Sequence, residues 1–280
     1  MIKKIVFIIL LTIIALYNIT LFYVDKNIQN KELTNIYSSC HKIWSSRGFY
    51  ETKDEQNSIK SFTKAFDLGA KGAEVDFYYD SKMNRFIISH DRPKKASDGT
   101  LLYTQKNNEL LTLEKLFKTF AKDKYFWLDY KNLDRISEEE TDKAIKRLLK
   151  ITKNDSIRER LYIEGSNPFI LSRYTDVGFQ TILAVRPLPH NNFLSTISSN
   201  LFKILYYFNN ITALTMPYGD VANPFYGEKT QNALQDIPVF LFHVNEDEKL
   251  LKSLVEKDDV KVILAGRDKS LNRFYINDCK

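Results

Sequence analysis

Residues 69–80 read GAKGAEVDFYYD, and the rest of the chain can be placed around this stretch. The pattern predicts the end of one helix and the start of a strand that carries Glu74 and Asp76 two positions apart. Side chains alternate between the two faces of a strand, so both carboxylates point the same way. Neighbouring carboxylates repel unless a positive charge lies between them, and a divalent cation with hard oxygen ligands is the natural candidate.

The N-terminus carries one apolar run, Ile5–Val24, whose 20 residues match the length that a helix needs to cross a bilayer. Lys3 and Lys4 precede the run, and the charges just after it cancel, which predicts a cytoplasmic N-terminus and a body in the periplasm or on the cell surface. The run exceeds the apolar part of a signal peptide, and no small-residue cleavage site follows it. We expect an uncleaved single-pass anchor over residues 1–24 and a linker over residues 25–34, with a cleaved signal peptide as the alternative.

Residues 35–280 suffice for one large domain, close to the ~250 residues of a (β/α)8 barrel. The net charge of +6 is spread over scattered lysines. Without a basic stripe, nucleic acid is not an expected partner, although a basic body gains some attraction to anionic lipid. Two cysteines, Cys40 and Cys279, make no disulfide framework, and the sequence leaves open one bridge or two free thiols. We expect a monomer.

Short apolar runs alternate with helical patterns along this body. The predicted strands are residues 36–41, the strand of Glu74 and Asp76, and residues 125–131, 161–164, 179–185, 211–216, 239–243 and 260–264. Such alternation favours an α/β fold with a parallel sheet. Eight units in this length favour a closed TIM barrel over an open doubly wound sheet.

Helix-capping signals support the same alternation. Asn57 or Ser58 can cap a helix over residues 59–66, whose apolar positions have helical spacing. Asn245 with Glu248 has the spacing of a cap for a helix late in the chain. These signals place helices between strands, as a barrel requires.

Chemically active side chains fall at several predicted strand ends. In a barrel the active site lies at the C-terminal ends of the strands. The residues at these ends are His41, Glu74, Asp76, Asp129 and His243. His90 follows on a hairpin arm over residues 85–90, which we expect to fold over the same face. Carboxylates and histidines gathered at one mouth predict a metal-assisted acid/base site.

Seven motifs also follow one another in a recognisable order. They are Arg47-Gly48, Gln56-Asn57-Ser58, Gly69-Ala70 before Glu74-Val75-Asp76, His90-Asp91, Thr112-Leu113-Glu114-Lys115-Leu116, Asp129-Tyr130-Lys131, and Phe242-His243-Val244-Asn245. Their order and spacing over residues 36–265 resemble the glycerophosphodiester phosphodiesterase family, within the phosphatidylinositol-phospholipase-C-like barrels. The resemblance implies a TIM barrel and phosphodiester cleavage.

The chain departs from the family pattern at the first histidine. Ser46, and not a histidine, precedes Arg47-Gly48. The nearest histidine is His41, which we expect at the end of the first strand. Either His41 or Ser46 must therefore fill the first-histidine role, and we favour His41. Asp129 stands where the family has a glutamate.

The resemblance implies roles for the acids and two of the histidines. Glu74, Asp76 and Asp129 would hold one Mg²⁺ or Ca²⁺, which polarises the phosphoryl group. His41 and His90 would be the acid/base pair, one activating the nucleophile and the other protonating the leaving alkoxide.

The resemblance also implies contacts to the substrate, a glycerophosphodiester or a phospholipid headgroup. Arg47 and Lys131 would bind the phosphate, and His243 would contact the substrate at the mouth. Glu164, at another predicted strand end, could serve as a substrate contact or as a barrel ion pair.

Two other functions stay open on the sequence alone. One is a phospholipase of the sphingomyelinase D or phosphatidylinositol phospholipase C type. The other is an inactive membrane-anchored barrel that binds phosphorylated headgroups. The retained E-x-D, H-D and D-x-K motifs favour an enzyme, because an inactive site usually loses an acid or a histidine.

Overall fold

The computed structural model describes residues 2–31, 36–105, 109–120, 123–153, 156–219, 222–244 and 247–265. Within these ranges the strands are β1 (Ile43–Ser46), β2 (Gly72–Asp80), β3 (Arg85–Ile88), β4 (Lys94–Lys95), β5 (Leu101–Leu102), β6 (Tyr125–Tyr130), β7 (Leu161–Gly165), β8 (Gln180–Ala184), β9 (Ala213–Pro217), β10 (Val239–Phe242) and β11 (Val260–Ala265). The α-helices are α1 (Ile2–Asn27), α2 (Ile59–Asp67), α3 (Leu113–Phe120), α4 (Glu138–Ile151), α5 (Pro168–Thr175), α6 (Asn192–Phe208), α7 (Glu228–Ala233) and α8 (Glu248–Val255).

Eight of these described strands are parallel and form a closed barrel, which confirms the predicted (β/α)8 fold. The order around the barrel is β1, β2, β6, β7, β8, β9, β10 and β11. The ring closes on β1, where Trp44 lies opposite Leu264 of β11 and Ser46 lies opposite Glu74 of β2. The predicted hairpin arm is β3, which pairs antiparallel with β2 beyond the barrel wall.

Capping explains where α2 begins. The Ser58 hydroxyl accepts a hydrogen bond from the Ser61 backbone N–H, and the Ser61 side chain accepts one from the Ser58 backbone. Gly69 then adopts a left-handed φ of +100° just after the helix, a conformation that glycine tolerates. Of the two predicted caps, Ser58 is the one used.

Two further predictions concern residues near gaps in the described chain. Asn245 lies outside the described residues, and the side chain that caps α8 is Asp247, which accepts from the Leu250 backbone N–H. The predicted Asn245 cap is therefore wrong. Cys40 is disulfide-bonded, whereas Cys279 lies outside the described residues.

The first strand starts later than predicted, which moves His41 to the other end of the barrel. Residues 36–42 are not strand, and β1 begins at Ile43. The Tyr37 hydroxyl donates to the His41 carbonyl oxygen at 2.7 Å. The Tyr37 ring packs on Trp44 and on Tyr125, the first residue of β6. The apolar residues before His41 therefore cover the N-terminal end of the barrel and do not extend its wall.

Aromatic side chains fill the barrel interior below the mouth. Phe240 lies with its ring centroid 5.0 Å from Tyr162, 5.4 Å from Trp127 and 6.1 Å from Trp44. All four side chains are fully buried. The barrel is therefore a packed core, and the polar chemistry is confined to its C-terminal end.

The N-terminal helix α1 is long and apolar enough to cross a membrane, and its span window is not buried by the rest of the chain. Within the described chain, the C-terminal end of α1 contacts the barrel. Val24 is buried there, and Asp25 forms an ion pair with Lys203 of α6 at 3.0 Å.

Candidate active site

A cavity of about 820 Å³ opens at the C-terminal ends of the barrel strands. Its walls include six of the eight residues that the sequence singled out. They are Arg47, Glu74, His90, Asp129, Lys131 and His243. Asp76 lies just beneath, fully buried, in contact with two of these side chains. His41 is not part of the cavity wall.

The three predicted metal ligands come together on two neighbouring strands. Glu74 and Asp76 face the same way from β2, and Asp129 of β6 is the register partner of Asp76. One carboxylate oxygen from each lies within 4.8 Å of the other two. Three hard oxygen donors at this spacing fit a divalent cation such as Mg²⁺ or Ca²⁺.

Two basic side chains compensate this acidic cluster. Arg47 Nε lies 2.9 Å from Asp76 Oδ2 and 3.9 Å from Glu74 Oε2. Lys131 Nζ lies 2.5 Å from Asp76 Oδ1 and also pairs with Asp129. Both cations therefore converge on Asp76, the most deeply buried of the three acids, and both also line the cavity where an anion would enter.

Burial and neighbouring charges shift the pKa values of the three acids in different directions. Burial, with Asp76 nearby, raises the pKa of Glu74 to about 8. Burial also raises the pKa of Asp129. Burial alone would raise the pKa of Asp76, but Lys131 and Arg47 outweigh it and hold that pKa below its usual value. The two cations thus favour the ionised form of Asp76, whereas burial favours a proton on Glu74.

The backbone of the Arg47-Gly48 motif places the Arg47 side chain over the acids. Arg47 and Gly48 have left-handed φ values of +61° and +81°. A Cβ on Gly48 would lie 2.6 Å from the backbone carbonyl carbon of Ser61, so a larger residue does not fit. The Arg47 carbonyl accepts hydrogen bonds from the Asn57 N–H at 3.0 Å and the Ser61 hydroxyl at 3.1 Å. These bonds fix the turn between β1 and α2.

Asn57 is a site residue to which the sequence analysis assigned no site role, although it considered Asn57 as a possible helix cap and as part of the Gln56-Asn57-Ser58 motif. It is buried, has a φ of +53° and donates from Nδ2 to Asp76 Oδ2 at 2.7 Å. The available signal was its position directly before the true cap, Ser58, because a second polar residue there is not needed to cap the helix.

Ser46 occupies the position of the missing first histidine. It ends β1, and its hydroxyl donates to Glu74 Oε2 at 2.6 Å. His41 lies five positions earlier, about 16 Å away at ~3.3 Å per extended residue. The expectation that His41 stands at the mouth is therefore wrong, and the structure does not bring it together with His90.

His90 is held at the mouth by the loop after β3. The Ser89 N–H donates to the Asp76 carbonyl at 3.0 Å, and the Ser89 hydroxyl donates to the Asp91 carbonyl at 2.9 Å. His90 Nδ1 lies 3.0 Å from Asp91 Oδ1. The ring is partly exposed to the cavity, where it can exchange a proton with a bound molecule.

Glu164 is part of a second polar group beside the acidic cluster, since it is the register partner of Asp129 on the neighbouring strand β7. Its Oε2 accepts from Trp127 Nε1 at 2.7 Å, and its Oε1 accepts from Arg186 at 3.0 Å. The Arg186 guanidinium also lies 5.0 Å from the Phe242 ring centroid. Burial, followed by the charge of Asp129, raises the pKa of Glu164 to about 7. Glu164 forms the expected ion pair and also lines the cavity, so the ion-pair role and a substrate contact are compatible.

His243 follows β10 directly and has a left-handed φ of +50°. Its ring centroid lies 4.9 Å from that of Phe242. The reversed backbone places His243 on the cavity wall as the chain leaves the strand. It is the second histidine of the mouth within the described chain.

Comparison with known proteins gives a fold likeness. No family model and no curated protein matches the chain. A glycerophosphodiester phosphodiesterase from Parabacteroides distasonis ATCC 8503 is 17% identical, with 84% of this chain and 96% of that chain covered and a TM-score of 0.60. One from Agrobacterium tumefaciens str. C58 is 10% identical, with 84% and 98% covered and a TM-score of 0.52.

A third similar structure is the glycerophosphoryl diester phosphodiesterase domain of a Mycobacterium tuberculosis protein. It is 11% identical, with 80% of this chain and 95% of that domain covered and a TM-score of 0.51. At these identities the likeness establishes the fold and leaves the chemistry to be argued from the side chains.

Proposed function

We propose that the barrel is a metal-dependent phosphoric diester hydrolase acting on glycerophosphodiesters or phospholipid headgroups. The observation that carries this proposal is the clustering of Glu74, Asp76 and Asp129 beneath two cations and a histidine in one cavity. Acids alone would suit many roles. Acids with convergent cations and an exposed proton-transfer group suit a phosphodiester, whose anionic oxygens need neutralisation while an alkoxide leaves.

In this proposal Glu74, Asp76 and Asp129 hold one Mg²⁺ or Ca²⁺, which supplies charge neutralisation at the phosphoryl oxygens. Arg47 and Lys131 bind and orient the phosphate, because each reaches the cavity from an ion pair with Asp76.

Hydrolysis of a phosphodiester needs one proton removed from the nucleophile and one delivered to the leaving alkoxide. His90 performs one of these transfers from its tethered position beside Asp91. We assign the other to His243, because it is the second histidine on the cavity wall within the described chain. The Ser46 hydroxyl donates to the Glu74 carboxyl and orients it.

We further propose that α1 is a single-pass anchor with a cytoplasmic N-terminus and an extracytoplasmic barrel. Its length and apolar composition support spanning, and Lys3 and Lys4 support the orientation.

An inactive headgroup-binding barrel is the second candidate. Ser46 favours it, because the site lacks a histidine at the end of β1. Phosphorus NMR of products from a panel of phosphodiesters, with full-length protein and added Mg²⁺ or Ca²⁺, separates the two. An enzyme gives phosphomonoester products that Asp76→Asn protein does not give. Binding without any product supports the inactive barrel.

A further inference from the structure

Helix α6 leaves several large apolar side chains exposed, while most of its buried side chains are polar. Its buried residues are Ser195, Ser199, Lys203 and Tyr206, and Phe202, Ile204 and Leu205 pack partly buried against the core. Its exposed large apolar residues are Phe193, Leu194, Leu201 and Phe208, at 71%, 49%, 46% and 57% exposure. This partly reverses the pattern that a helix on a water-exposed barrel shows.

Other helices of the same barrel have the ordinary pattern. Helix α8 buries Leu251 and Leu254 and carries an ion pair between Glu248 and Lys252 on its outside. Helix α4 likewise buries an apolar face and carries exposed charges. The reversal in α6 is therefore not imposed by the barrel. In α6 the single charged residue is Lys203, and it is buried.

Three of the four exposed apolar residues of α6 lie along one line. Leu194, Leu201 and Phe208 are spaced seven residues apart, so they lie on one side of the helix. At 1.5 Å per residue this line is roughly 20 Å long. An exposed apolar surface of this extent indicates an interaction site for a membrane or another protein. We call these three residues the α6 stripe.

The α6 stripe meets the end of the apolar N-terminal helix. Tyr23 of α1 stacks on Phe208, with centroids 6.4 Å apart and planes 15° from parallel, and packs edge-on against Tyr207. Asp25 pairs with Lys203 one turn away. The apolar surface of α1 therefore continues into the stripe, and the aromatic rings with polar tips gather at the junction, as they do at a membrane interface.

We propose that the α6 stripe lies in the surface of the bilayer that α1 spans, so that the barrel is seated on lipid along α6. This inference rests on the proposed anchoring by α1. The bilayer is the occupant because the stripe is continuous with a helix whose own apolar residues have no cover within the described chain. A second copy of the chain would have no such reason to bind beside the anchor.

The proposed contact with lipid along α6 extends from the anchor to the catalytic cavity. Helix α6 starts shortly after Arg186 and Pro187, which line the cavity. Phe193 lies at this end of α6, and the exposed Phe169 opens the neighbouring helix α5. Contact along the stripe therefore brings the rim of the cavity to the depth of lipid headgroups.

Tryptophan fluorescence tests this membrane contact with the full-length protein in vesicles that mix two brominated lipids. One is brominated near the glycerol end of the acyl chains, at the depth of the stripe, and the other near the chain ends, at the depth of Ile14. Leu194→Trp and Leu201→Trp report on the stripe, and Ile14→Trp reports on the anchor. Thr63→Trp is the matched control, on an exposed position of α2, which is four units around the barrel from α6. The native Trp44 and Trp127 are buried and give the same background in every variant.

We expect both stripe tryptophans, and Ile14→Trp, to lose most of their added emission in brominated lipid, while Thr63→Trp keeps its own. The inference is overturned if Ile14→Trp is quenched but the stripe tryptophans behave like Thr63→Trp. A dimer in lipid nanodiscs in that case would identify a second copy as the cover. If Ile14→Trp is also unquenched, the anchoring proposal is wrong, and so is the proposed contact of the α6 stripe with lipid.

Discussion

Asn57 contacts Asp76 at two points. Its amide nitrogen donates to Asp76 Oδ2 at 2.7 Å, and its amide oxygen accepts from the Asp76 backbone N–H at 3.2 Å. The pair fixes the carboxylate on β2 and directs Oδ1 toward Lys131. The orientation of the central acid is thus set by a residue that never faces the cavity.

Asn57→Ala should lower metal affinity and turnover by about 10–100-fold, the usual effect of removing a hydrogen bond that orients a metal ligand. Asn132→Ala is the matched control, because Asn132 makes a similar pair of bonds to the backbone of Tyr79, farther along the same strand. Isothermal titration with Mg²⁺ or Ca²⁺ measures the difference. Equal losses of affinity in both variants would mean that Asn57 only supports the strand.

His90→Ala and His243→Ala should each reduce turnover by ~10²–10⁴-fold, since each removes a positioned proton-transfer group. His41→Ala should leave turnover near wild type, because His41 lies at the far end of the barrel. His190→Ala, at an exposed loop position, serves as the control. A severe loss in His41→Ala protein with unchanged melting temperature would contradict the assignment.

Metal affinity should depend on pH through Glu74. Its pKa of about 8 means that the carboxyl holds a proton at neutral pH, which a bound cation must displace. The dissociation constant should therefore rise about 10-fold for each pH unit below that pKa and level off above it. Titrations in buffers with different ionisation enthalpies measure the released proton. Glu74→Gln should bind more weakly and lose most of this slope; a wild-type affinity that is flat in pH would refute the role of Glu74.

Gly48→Ala should destabilise the fold strongly. The new Cβ needs a left-handed φ, which costs about 1–2 kcal/mol, and it also overlaps the Ser61 backbone. Gly178→Ala isolates the first effect, because Gly178 has a φ of +90° and nothing within 4 Å of the added Cβ. Thermal unfolding should show a clearly larger drop for Gly48→Ala. Equal drops would show that the turn around Arg47 yields easily.

The full-length protein should stay in the membrane fraction after high-salt and alkaline washes, because burial of an apolar helix does not depend on ionic strength. Protease added outside intact cells or spheroplasts should reach the barrel. Release of the barrel by salt, or a mature chain that begins near residue 25, would contradict the proposed anchor.

The barrel was predictable because its strands are short apolar runs separated by helices, and Glu74 and Asp76 were predictable because strand faces alternate. His41 was misplaced because Ile36 and Tyr37 have the composition of a strand, while their burial comes from covering the barrel end. Local pattern does not distinguish these two uses of apolar residues.

Contacts between side chains far apart along the chain could also not be predicted from the sequence. Glu164 meets Trp127 and Arg186 from strands that lie far apart along the chain. Pairing of the neighbouring strands β6, β7 and β8 sets these contacts, and no spacing rule within one segment reports them. Asn57 was hidden for a related reason, since its partner lies on the next strand.

The ion pairs around Asp76 and Glu164 also determine the net charge at the mouth of the barrel. Counted over the described chain, the ion-paired groups here are four carboxylates and three cationic side chains. Fully ionised, they carry one net negative charge, which a divalent cation would invert and a phosphodiester monoanion would return to zero. The bound cation therefore gives the site the positive charge that attracts the phosphodiester, and the phosphodiester neutralises that charge. By linkage, each ligand should increase the affinity for the other.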